Sequence, residues 1–459
     1  MKTPSPFETS FVQKLLDRRR FGVKPGLDVT RAIMQELGDP QKSLKFVHVA
    51  GTNGKGAVCS LLDSILRAAG LRVCRYTSPH LVSVRERFFV DGAPVEAEAL
   101  MRAAEKVFPV VERLERERGV EATFFECLTA AAFVLFAETR PDVVVLEAGL
   151  GGRLDATNVI GADELLAAAI TRIGLDHCDW LGATHAMIAE EKAGIVKRGR
   201  PVVAGAMPAV AREAISLAAT RAKAPFISAE CCSAAAGPGV DWTHPVLATP
   251  RRRLPPAALS LAGPFQVENA LTALATIDAL EDFAGMKVPD AAVVRGLESA
   301  VWPGRAQRVV SDGVEFVIDG AHNPDGALAL REALRAGGLA RSDDAPVALL
   351  CGFCGDKDVL AHLRIMSAAI TTGWAVPIRN VRSLNPEDAV ERMVIAGFTS
   401  AQACSSLAEG LERAKEWARR TGGRVVVCGS LFLAGEALVA LNAYPWQLDG
   451  PDANETMIR

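Results

Sequence analysis

A glycine-rich segment between a predicted strand and a predicted helix carries the clearest chemical signal in the sequence. The segment Gly51-Thr-Asn-Gly-Lys-Gly56 directly follows the apolar run VHVA and precedes a second apolar run. In such a loop the backbone N–H groups converge on phosphate oxygens, and the helix that follows begins with positive potential. Lys55 adds a cation for the β- and γ-phosphates. We therefore predict that a nucleotide is bound by Thr52, Asn53, Gly54, Lys55 and Gly56.

This loop departs from the common phosphate-binding loop at Gly56, which stands where a Ser or Thr hydroxyl usually holds magnesium. The metal ligands must then come from elsewhere, and three polar residues follow predicted strands: Ser78, Glu147 and His177. A hydroxyl and a carboxylate suit Mg²⁺, whereas an imidazole also suits Mn²⁺. Each residue alone has a structural interpretation, as a turn serine, a strand-end carboxylate or a helix cap. Their placement after successive strands favours a metal site.

These residues need a parallel sheet to bring them together, and the apolar runs predict one. Short runs that are apolar on both faces alternate with helical segments, which is typical of a doubly wound α/β fold. The predicted strands are Lys45–Ala50, Arg72–Thr77, Asp142–Ala148, Ala168–Ile173 and Pro201–Ala204, with helices at Ala57–Ala69 and Phe125–Glu138. Residues 206–264 are richer in Ala, Pro and Gly, and they predict a peripheral strand, loops and a small antiparallel sheet.

A second alternation of strands and helices begins after the break Trp302-Pro-Gly-Arg305. The predicted elements around it are helices at Phe265–Leu280, Pro289–Ala300 and Asp325–Ala336, and strands at Val314–Ile318, Val347–Cys351 and Val425–Cys428. We therefore predict an α/β protein of two domains. Residues 1–302 would form a P-loop ATPase domain with a parallel sheet, and residues 303–459 a Rossmann-like domain.

Composition narrows the class of protein. The 459 residues include 51 basic and 54 acidic ones, for a formal net charge of −3, which offers no positive field for nucleic acid. No uncharged apolar stretch approaches the ~20 residues that span a bilayer, and Glu8 and Asp17 interrupt any signal-peptide core. We therefore expect a cytoplasmic protein with neither a membrane nor a nucleic-acid partner. Because ten cysteines are too few for a disulfide scaffold, Cys351 and Cys354 are expected to be reduced thiols in a β–α turn.

Taken together, the motifs resemble those of the folylpolyglutamate synthase/dihydrofolate synthase family, within the Mur ligase superfamily. The matching segments are GTNGKG at 51–56, TSPH at 77–80, EAGLGGRLDATN at 147–158, GLDH at 174–177, DWLG at 179–182, EKAG at 191–194, WPGR at 302–305, DGAHNP at 319–324 and GSL at 429–431. Two positions depart from the family pattern. Ala57 stands where the family usually has Ser or Thr, and CGFCGDKD replaces a segment that usually lacks cysteine.

The resemblance implies an ATP-dependent carboxylate–amine ligase. ATP would phosphorylate a pteroate or folate carboxylate, and the amine of L-glutamate would attack the acyl phosphate to form an amide. The implied magnesium ligands fall on Ser78, Glu147 and His177, and two metal sites are implied. Lys192 matches a lysine that this family carboxylates with CO₂, and the resulting carbamate would help to organise the second metal. The alternative for Lys192 is a solvated helix lysine.

The resemblance also implies roles for residues outside the phosphate loop. The implied catalytic residues are Lys55, Lys192 and His322. Further nucleotide contacts would come from Asn269, Arg305 and Asp319, with Arg305 reaching phosphate from the hinge when the domains close. The incoming glutamate would contact His322 and Ser430. The pterin-bearing substrate would lie against Gly26, Leu27, Pro79, Thr123, Leu154, Asp155 and Ala156.

Several alternatives remain open at this stage. The acceptor could be dihydropteroate, a reduced folate or both, and the resemblance favours a bifunctional enzyme that acts as a monomer. A monofunctional enzyme of either kind, or a Mur-type ligase for another carboxylate, is the main alternative. A P-loop kinase would need the hydroxyl that Gly56 lacks. A non-catalytic scaffold would have no need of Lys55, Glu147, His177 and Asp319.

Overall fold

The structure, a computed structural model, describes residues 26–237, 241–261, 263–337, 339 and 346–447. Glu8 and Asp17 lie outside the described residues. Two α/β units follow one another along the chain, and a small antiparallel pair of strands, β9 (Ser233–Gly237) and β10 (Asp241–Ala248), lies within the first. The pair confirms the small antiparallel sheet expected between residues 206 and 264.

The first unit is built on an eight-stranded sheet whose spatial order is β4-β3-β2-β5-β1-β6-β7-β8. The strands are β1 (Phe46–Ala50), β2 (Val73–Tyr76), β3 (Phe88–Val90), β4 (Ala93–Pro94), β5 (Val143–Glu147), β6 (Leu165–Ile170), β7 (Val202–Ala204) and β8 (Phe226–Ser228). From β2 to β8 all neighbours are parallel, whereas β3 and β4 form an antiparallel edge. The central strands are buried along their whole length, which is why they read as continuous apolar runs.

Helices cover both faces of this sheet, so the predicted doubly wound α/β class is confirmed. The helices are α1 (Asp28–Glu36), α2 (Lys55–Ala68), α3 (Ala97–Arg118), α4 (Phe124–Thr139), α5 (Cys178–Leu181), α6 (His185–Lys192), α7 (Ala209–Arg221), α8 (Pro264–Ala284) and α9 (Asp290–Ser299). One apolar core joins Phe46 of β1 to α1, α3, α4, α6 and α7, and another joins Val47 to α2, α8 and α9. Adjacent strand residues therefore serve different cores.

The second unit has a six-stranded sheet in the order β11-β12-β16-β13-β14-β15, parallel except for the edge strand β11. Its strands are β11 (Gln307–Ser311), β12 (Val314–Ile318), β13 (Val347–Cys351), β14 (Thr372–Ala375), β15 (Ser400–Ala403) and β16 (Arg424–Cys428). Its helices are α10 (Pro324–Ala336), α11 (Val359–Ser367), α12 (Pro386–Ala396), α13 (Leu407–Thr421) and α14 (Leu431–Ala440). Two apolar cores flank this sheet as well.

Several elements differ from the sequence-based expectation. Strand β6 ends at Ile170, not at residue 173, because the chain beyond it turns to support the phosphate loop. Helix α2 begins at Lys55, directly after Gly54, which has a φ of 89°. Helix α7 lies where no helix was predicted; its buried positions recur every three to four residues but are mostly alanine, so the apolar contrast is weak.

Two further observations concern the cysteines and the helices. All ten cysteines are free thiols, and burial raises the pKa of Cys351 to about 12. Among the described residues, no helix combines the length and the apolar character needed to cross a bilayer.

Candidate active site

The strand order of the first sheet determines where the predicted site residues meet. Strands β2, β5, β1 and β6 are consecutive and parallel, so their carboxyl ends lie along one edge. Ser78 follows β2, Glu147 ends β5, the phosphate loop follows β1, and residues 171–177 follow β6. Val49 pairs with Glu147, which places this carboxylate beside the last residues of β1. This edge is the crevice where open α/β sheets bind ligands.

The segment after β6 supports the phosphate loop directly. The Thr171 hydroxyl donates to the Asn53 carbonyl at 2.7 Å, and an added Cβ at Gly51 would lie 1.8 Å from that hydroxyl oxygen. The carbonyl of Arg172 accepts the N–H groups of Thr52 and Asn53 at 2.9 and 3.3 Å. The first N–H groups of α2, which have no partner within the helix, remain available to an anion.

A steric contact explains why position 56 is a glycine. A Cβ added to Gly56 would lie 2.0 Å from Cζ2 of Trp302, so the indole occupies the space that a Ser or Thr side chain would need. Trp302 belongs to the break between the two units and packs beside the core formed with α2. The hydroxyl of the common phosphate loop is therefore replaced by an aromatic ring from the hinge.

Glu147 lies at the centre of the charged groups on this edge. Its Oε1 is 4.0 Å from the Lys55 ammonium, and its Oε2 accepts the N–H of Ser78 at 3.0 Å. Burial raises the pKa of the Glu147 carboxyl, while the cations Lys55, Arg305 and Arg87 act in the opposite direction. Ser78 and Glu147 are thus brought together as predicted for two of the metal ligands.

His177 is placed differently from these two residues. Its side chain is 52% exposed, its φ is 51°, and its nearest acidic partner is Asp176, at 3.8 Å. Burial lowers the pKa of the imidazole, which leaves a ring nitrogen available as a ligand. No direct contact joins His177 to Ser78 or Glu147. Within the described residues, no cluster of three His, Cys, Asp or Glu side chains offers another metal site.

Lys192, at the end of α6, is a buried lysine and not the solvated one that the structural alternative required. Only 4% of the residue is exposed, and its ammonium nitrogen donates to the Gly51 carbonyl at 2.9 Å. Burial, assisted by the nearby charge of Lys55, lowers its pKa to about 7. A large fraction of this side chain is therefore a neutral amine near neutral pH.

Asp319 of the second unit holds the backbone that follows the break at residues 302–305. Its two carboxylate oxygens accept the N–H groups of Ala306 and Ala321, both at 2.7 Å. Burial lowers the pKa of the Arg305 guanidinium, whereas the charge of Asp319 raises it. His322 lies with Nδ1 at 2.9 Å from the Gly320 carbonyl, to which it donates. These bonds fix the chain that follows the break.

Asn269 of α8 packs against the phosphate loop from the other side. A Cβ added to Gly54 would lie 2.2 Å from Asn269 Oδ1, and the amide nitrogen donates to Gln266 at 2.8 Å. The positive φ of Gly54 and this close approach both require glycine there. Ser430 caps the N-terminus of α14, where its hydroxyl accepts the N–H of Phe432 at 3.1 Å.

The residues predicted to contact the pterin lie around the loops that follow β2 and β5. Asp155 is engaged within its own loop, because its carboxylate accepts the N–H groups of Leu150 and Thr157 and the Thr157 hydroxyl. Thr123 caps α4 through the N–H of Glu126. Pro79 and Leu154 are exposed, Leu27 and Ala156 are buried, and Gly26 is half-buried. The side chains of Asp155 and Thr123 thus hold the backbone in place.

Sequence reasoning missed three residues that shape this site. Thr171 was assigned to a strand, Trp302 was treated only as a chain break, and Arg87 was not singled out. The available signals were the polar TR pair ending an Ala-rich strand and the charged triplet RER inside an otherwise buried segment. Neither sequence pattern shows which atoms these side chains contact.

A phosphate loop that faces a second α/β unit across a hinge defines an ATP-dependent ligase of the Mur ligase class. Residues 49–277 match the model described as "Mur ligase middle domain", and residues 304–431 match "Mur ligase, glutamate ligase domain". A dihydrofolate synthase/folylpolyglutamate synthase of Bacillus subtilis is 37% identical over 324 residues, which cover 69% of this chain and 74% of the relative. The Escherichia coli protein of the same name is 32% identical over 431 residues, which cover 91% and 92%.

Solved structures give the same result. Escherichia coli FolC in complex with DHPP and ADP superposes with a TM-score of 0.83 at 30% identity, covering 96% of this chain and 99% of that one. Mycobacterium tuberculosis folylpolyglutamate synthase complexed with ADP gives 0.84 at 30% identity, covering 96% and 100%. The chain belongs to the folylpolyglutamate synthase/dihydrofolate synthase family of the Mur ligase superfamily.

Proposed function

We propose that this protein uses ATP to activate the carboxylate of a pteroate or folate and joins L-glutamate to it through an amide bond. One observation carries the proposal: Lys55, Glu147 and the start of α2 converge on one sheet edge, while Arg305 and Asp319 approach from the second unit. The names of the related enzymes support the choice of pterin substrates and the bifunctional activity. The boundary of the two catalytic domains would fall at residues 302 and 303.

The first step transfers a phosphoryl group. A carboxylate oxygen of the acceptor forms a bond to the γ-phosphorus of ATP while the bond to ADP breaks, which leaves an acyl phosphate and ADP. Lys55 and the N–H groups that begin α2 would hold the phosphates and offset the charge that accumulates between them. Arg305 would add a second cation from the hinge, and Asn269 would hold the loop that carries Lys55.

The second step forms the amide. The neutral amine of L-glutamate attacks the acyl carbon, phosphate departs, and the amine loses a proton. His322 and Ser430 would position the glutamate from the second unit. The His322 imidazole has its pKa lowered by burial, so it is neutral at pH 7 and can hold a proton only weakly. Because Nδ1 donates to the Gly320 carbonyl, Nε2 is the nitrogen able to accept.

The donors on the sheet edge fit a divalent cation. The Ser78 hydroxyl and the Glu147 carboxylate offer hard oxygen donors on residues that the Ser78 N–H bond to Glu147 holds together, and the nearest cation to the buried Glu147 is the Lys55 ammonium at 4.0 Å. We propose that Ser78, Glu147 and His177 would hold Mg²⁺, or Mn²⁺, with a second ion close by. When bound, the metal supplies positive charge to the phosphate oxygens.

Lys192 would complete the charge arrangement as a carbamate. Carbamate formation needs a neutral amine, which attacks CO₂ and releases one proton. The lowered pKa of Lys192 provides that amine near neutral pH. Conversion of a buried cation into an anion would also offset the repulsion between Lys192 and Lys55.

The substrate pterin would lie between the loops after β2 and β5 and the start of α1. Exposed Pro79 and Leu154 would give apolar contact. Leu27 and Ala156 would contribute mainly through their backbone, since their side chains are buried. The remaining proposed contacts are Gly26, Thr123 and Asp155.

A glutamate-ligation assay tests the proposal. Purified protein is incubated with ATP, Mg²⁺, L-glutamate and either dihydropteroate or tetrahydrofolate, and ADP and the amide product are measured. We expect product only when all components are present. Product from one acceptor alone would indicate a monofunctional enzyme. ADP release that is indifferent to glutamate would contradict the proposal.

Variants at two lysines provide the matched control. Lys55→Met removes the cation facing Glu147 and should reduce turnover by at least about 100-fold, as loss of a preorganised charge typically does. Lys45→Met removes an exposed lysine whose ammonium donates to the Asp163 carbonyl, away from the phosphate loop, and it should leave turnover unchanged.

A further inference from the structure

Arg87 is a buried cation whose contacts are all neutral. Only 7% of the residue is exposed. Its Nε donates to Nδ1 of His80 at 2.9 Å, and its guanidinium carbon lies 5.4 Å from the centre of the Phe124 ring. Over the part of the chain that the structure describes, no carboxylate oxygen comes within 4.0 Å of its side-chain nitrogens.

Other buried arginines of this protein are paired with acids. Arg75 lies 3.2 Å from Asp63, and Arg252 lies 2.9 Å from Asp278. Pairing is the general rule, because a charge taken out of water without a counter-charge loses several kcal/mol of solvation. Arg87 therefore has no counter-ion among the described residues, although its burial requires one.

The two acidic residues close to Arg87 are engaged elsewhere. Glu86 accepts the N–H groups of Leu81, Val82 and Ser83 at 2.9, 2.6 and 2.6 Å. Glu147 accepts the N–H of Ser78 and faces Lys55. Rotation of either carboxylate toward Arg87 would leave buried N–H groups without acceptors. The described residues therefore supply no anion to Arg87, which favours an anion that comes from a ligand.

Arg87 lies between the two parts of the proposed site. Its backbone carbonyl accepts the N–H of Thr77 at 3.1 Å, which ties it to the segment that carries Ser78. Phe124, beneath the guanidinium, directly follows Thr123, a proposed pterin contact. Its charge also acts on Glu147 at the phosphate edge. In a pteroate or folate whose pterin lies at the first part, the group that must reach the second part is the carboxylate that reacts.

We propose that Arg87 binds the reacting carboxylate of the acceptor substrate, and then the acyl phosphate formed from it; this inference rests on the proposed function. A guanidinium pairs with two carboxylate oxygens in one plane and stays protonated throughout. During phosphoryl transfer one carboxylate oxygen gains the bond to phosphorus, ADP leaves, and no proton moves. The bound group is anionic before and after the step, so Arg87 keeps its counter-charge.

Calorimetry with a substrate and its uncharged analogue tests this assignment. Dihydropteroate and its carboxamide are titrated into the wild-type protein and into Arg87→Gln. The wild type should bind the carboxylate about 10- to 100-fold more tightly than the carboxamide, as expected for a charge-assisted hydrogen-bonded pair. Arg87→Gln should bind both compounds with equal affinity. Arg87→Lys, a variant that keeps the charge, should retain part of the preference.

Arg85→Gln is the matched control. Arg85 is a buried neighbour that already bonds the Val95 carbonyl at 2.6 Å and Glu96 at 3.2 Å, so its loss should leave the preference for the carboxylate intact. A preference that survives in Arg87→Gln, or an equal weakening of both compounds, would assign Arg87 a structural role and overturn the inference. The ligation assay on the wild type is read separately. If the wild type forms no glutamate amide but its preference for the carboxylate still depends on Arg87, the proposed function is refuted and the binding role of Arg87 stands.

Discussion

Substitution of Gly56 by alanine tests how the hinge and the nucleotide site are connected. The new Cβ would lie 2.0 Å from Cζ2 and 2.7 Å from Cε2 and Cη2 of Trp302. Carbon atoms in contact are normally about 3.5–4.0 Å apart, so the ring or the first turn of α2 must move by roughly 1.5 Å. Overpacking of this kind costs about 1–3 kcal/mol.

We expect this cost to appear in nucleotide binding, because Gly56 lies in the turn whose N–H groups are proposed to hold phosphate. A cost of about 1–3 kcal/mol corresponds to a loss of about 5- to 150-fold in affinity. The assay is calorimetric titration of ADP with Mg²⁺, accompanied by thermal unfolding to separate a binding defect from a loss of stability.

A double-mutant cycle identifies the cause. In a Trp302→Ala background the indole is absent, and Gly56→Ala should then change ADP affinity by less than about twofold. An equal loss in both backgrounds would refute the explanation of Gly56 by the Trp302 ring. Gly355→Ala is the control, since the nearest atom to its added Cβ is the Arg382 carbonyl oxygen at 3.7 Å, an ordinary contact.

Three further predictions concern Thr171, Lys192 and Asp319. Thr171→Val removes the hydroxyl that donates to the Asn53 carbonyl and should weaken ADP binding by about 5- to 20-fold, whereas Thr171→Ser should retain most of it; calorimetry measures both. In the folded protein the pKa of Lys192 is about 7, below its ordinary 10.5, so the folded state binds this proton more weakly than the unfolded state does. The free energy of unfolding therefore falls as the pH drops from 10.5 to 7. In CO₂-free buffer Lys192→Met should therefore be more stable than the wild type at pH 6.5 and lose that advantage by pH 10; equal denaturant midpoints at pH 6.5 would contradict this. Asp319→Asn keeps only one acceptor for the N–H groups of Ala306 and Ala321, so the free energy of unfolding should fall by about 2 kcal/mol, measured by urea denaturation.

Much of the fold could be predicted because its strands are short, apolar on both faces and separated by helices. Strands β1, β2, β5 and β7 lie within the predicted ranges, and so does the alternation after residue 305. The errors fall where tertiary contacts override the local pattern. Strand β6 was predicted to reach residue 173, whereas it ends at Ile170, and the Thr171 hydroxyl that follows it donates to the Asn53 carbonyl of the phosphate loop.

The candidate site shows the same division. Ser78 and Glu147 could be paired from the sequence because parallel strands end at a common edge. His177 was expected beside them, but the structure turns its ring toward Asp176 and solvent. The burial of Lys192, which lowers its pKa, depends on residues from α6 and the loop after β1, which are 141 positions apart in the chain.

The candidate chemistry of this protein could be predicted from local features of its sequence. A phosphate loop, its lysine and the residues after successive strands each depend on a few neighbouring positions and on the strand–loop–helix order. Which atoms remain available to a ligand depends instead on tertiary contacts. The Arg172 carbonyl occupies two N–H groups of the loop, the Trp302 ring excludes a side chain at Gly56, and Arg87 is buried with no counter-ion among the described residues. All three features arise from contacts between segments that are far apart in the chain. The free energies of burying a charge and of packing side chains depend on such contacts, so the local pattern of residues does not predict them.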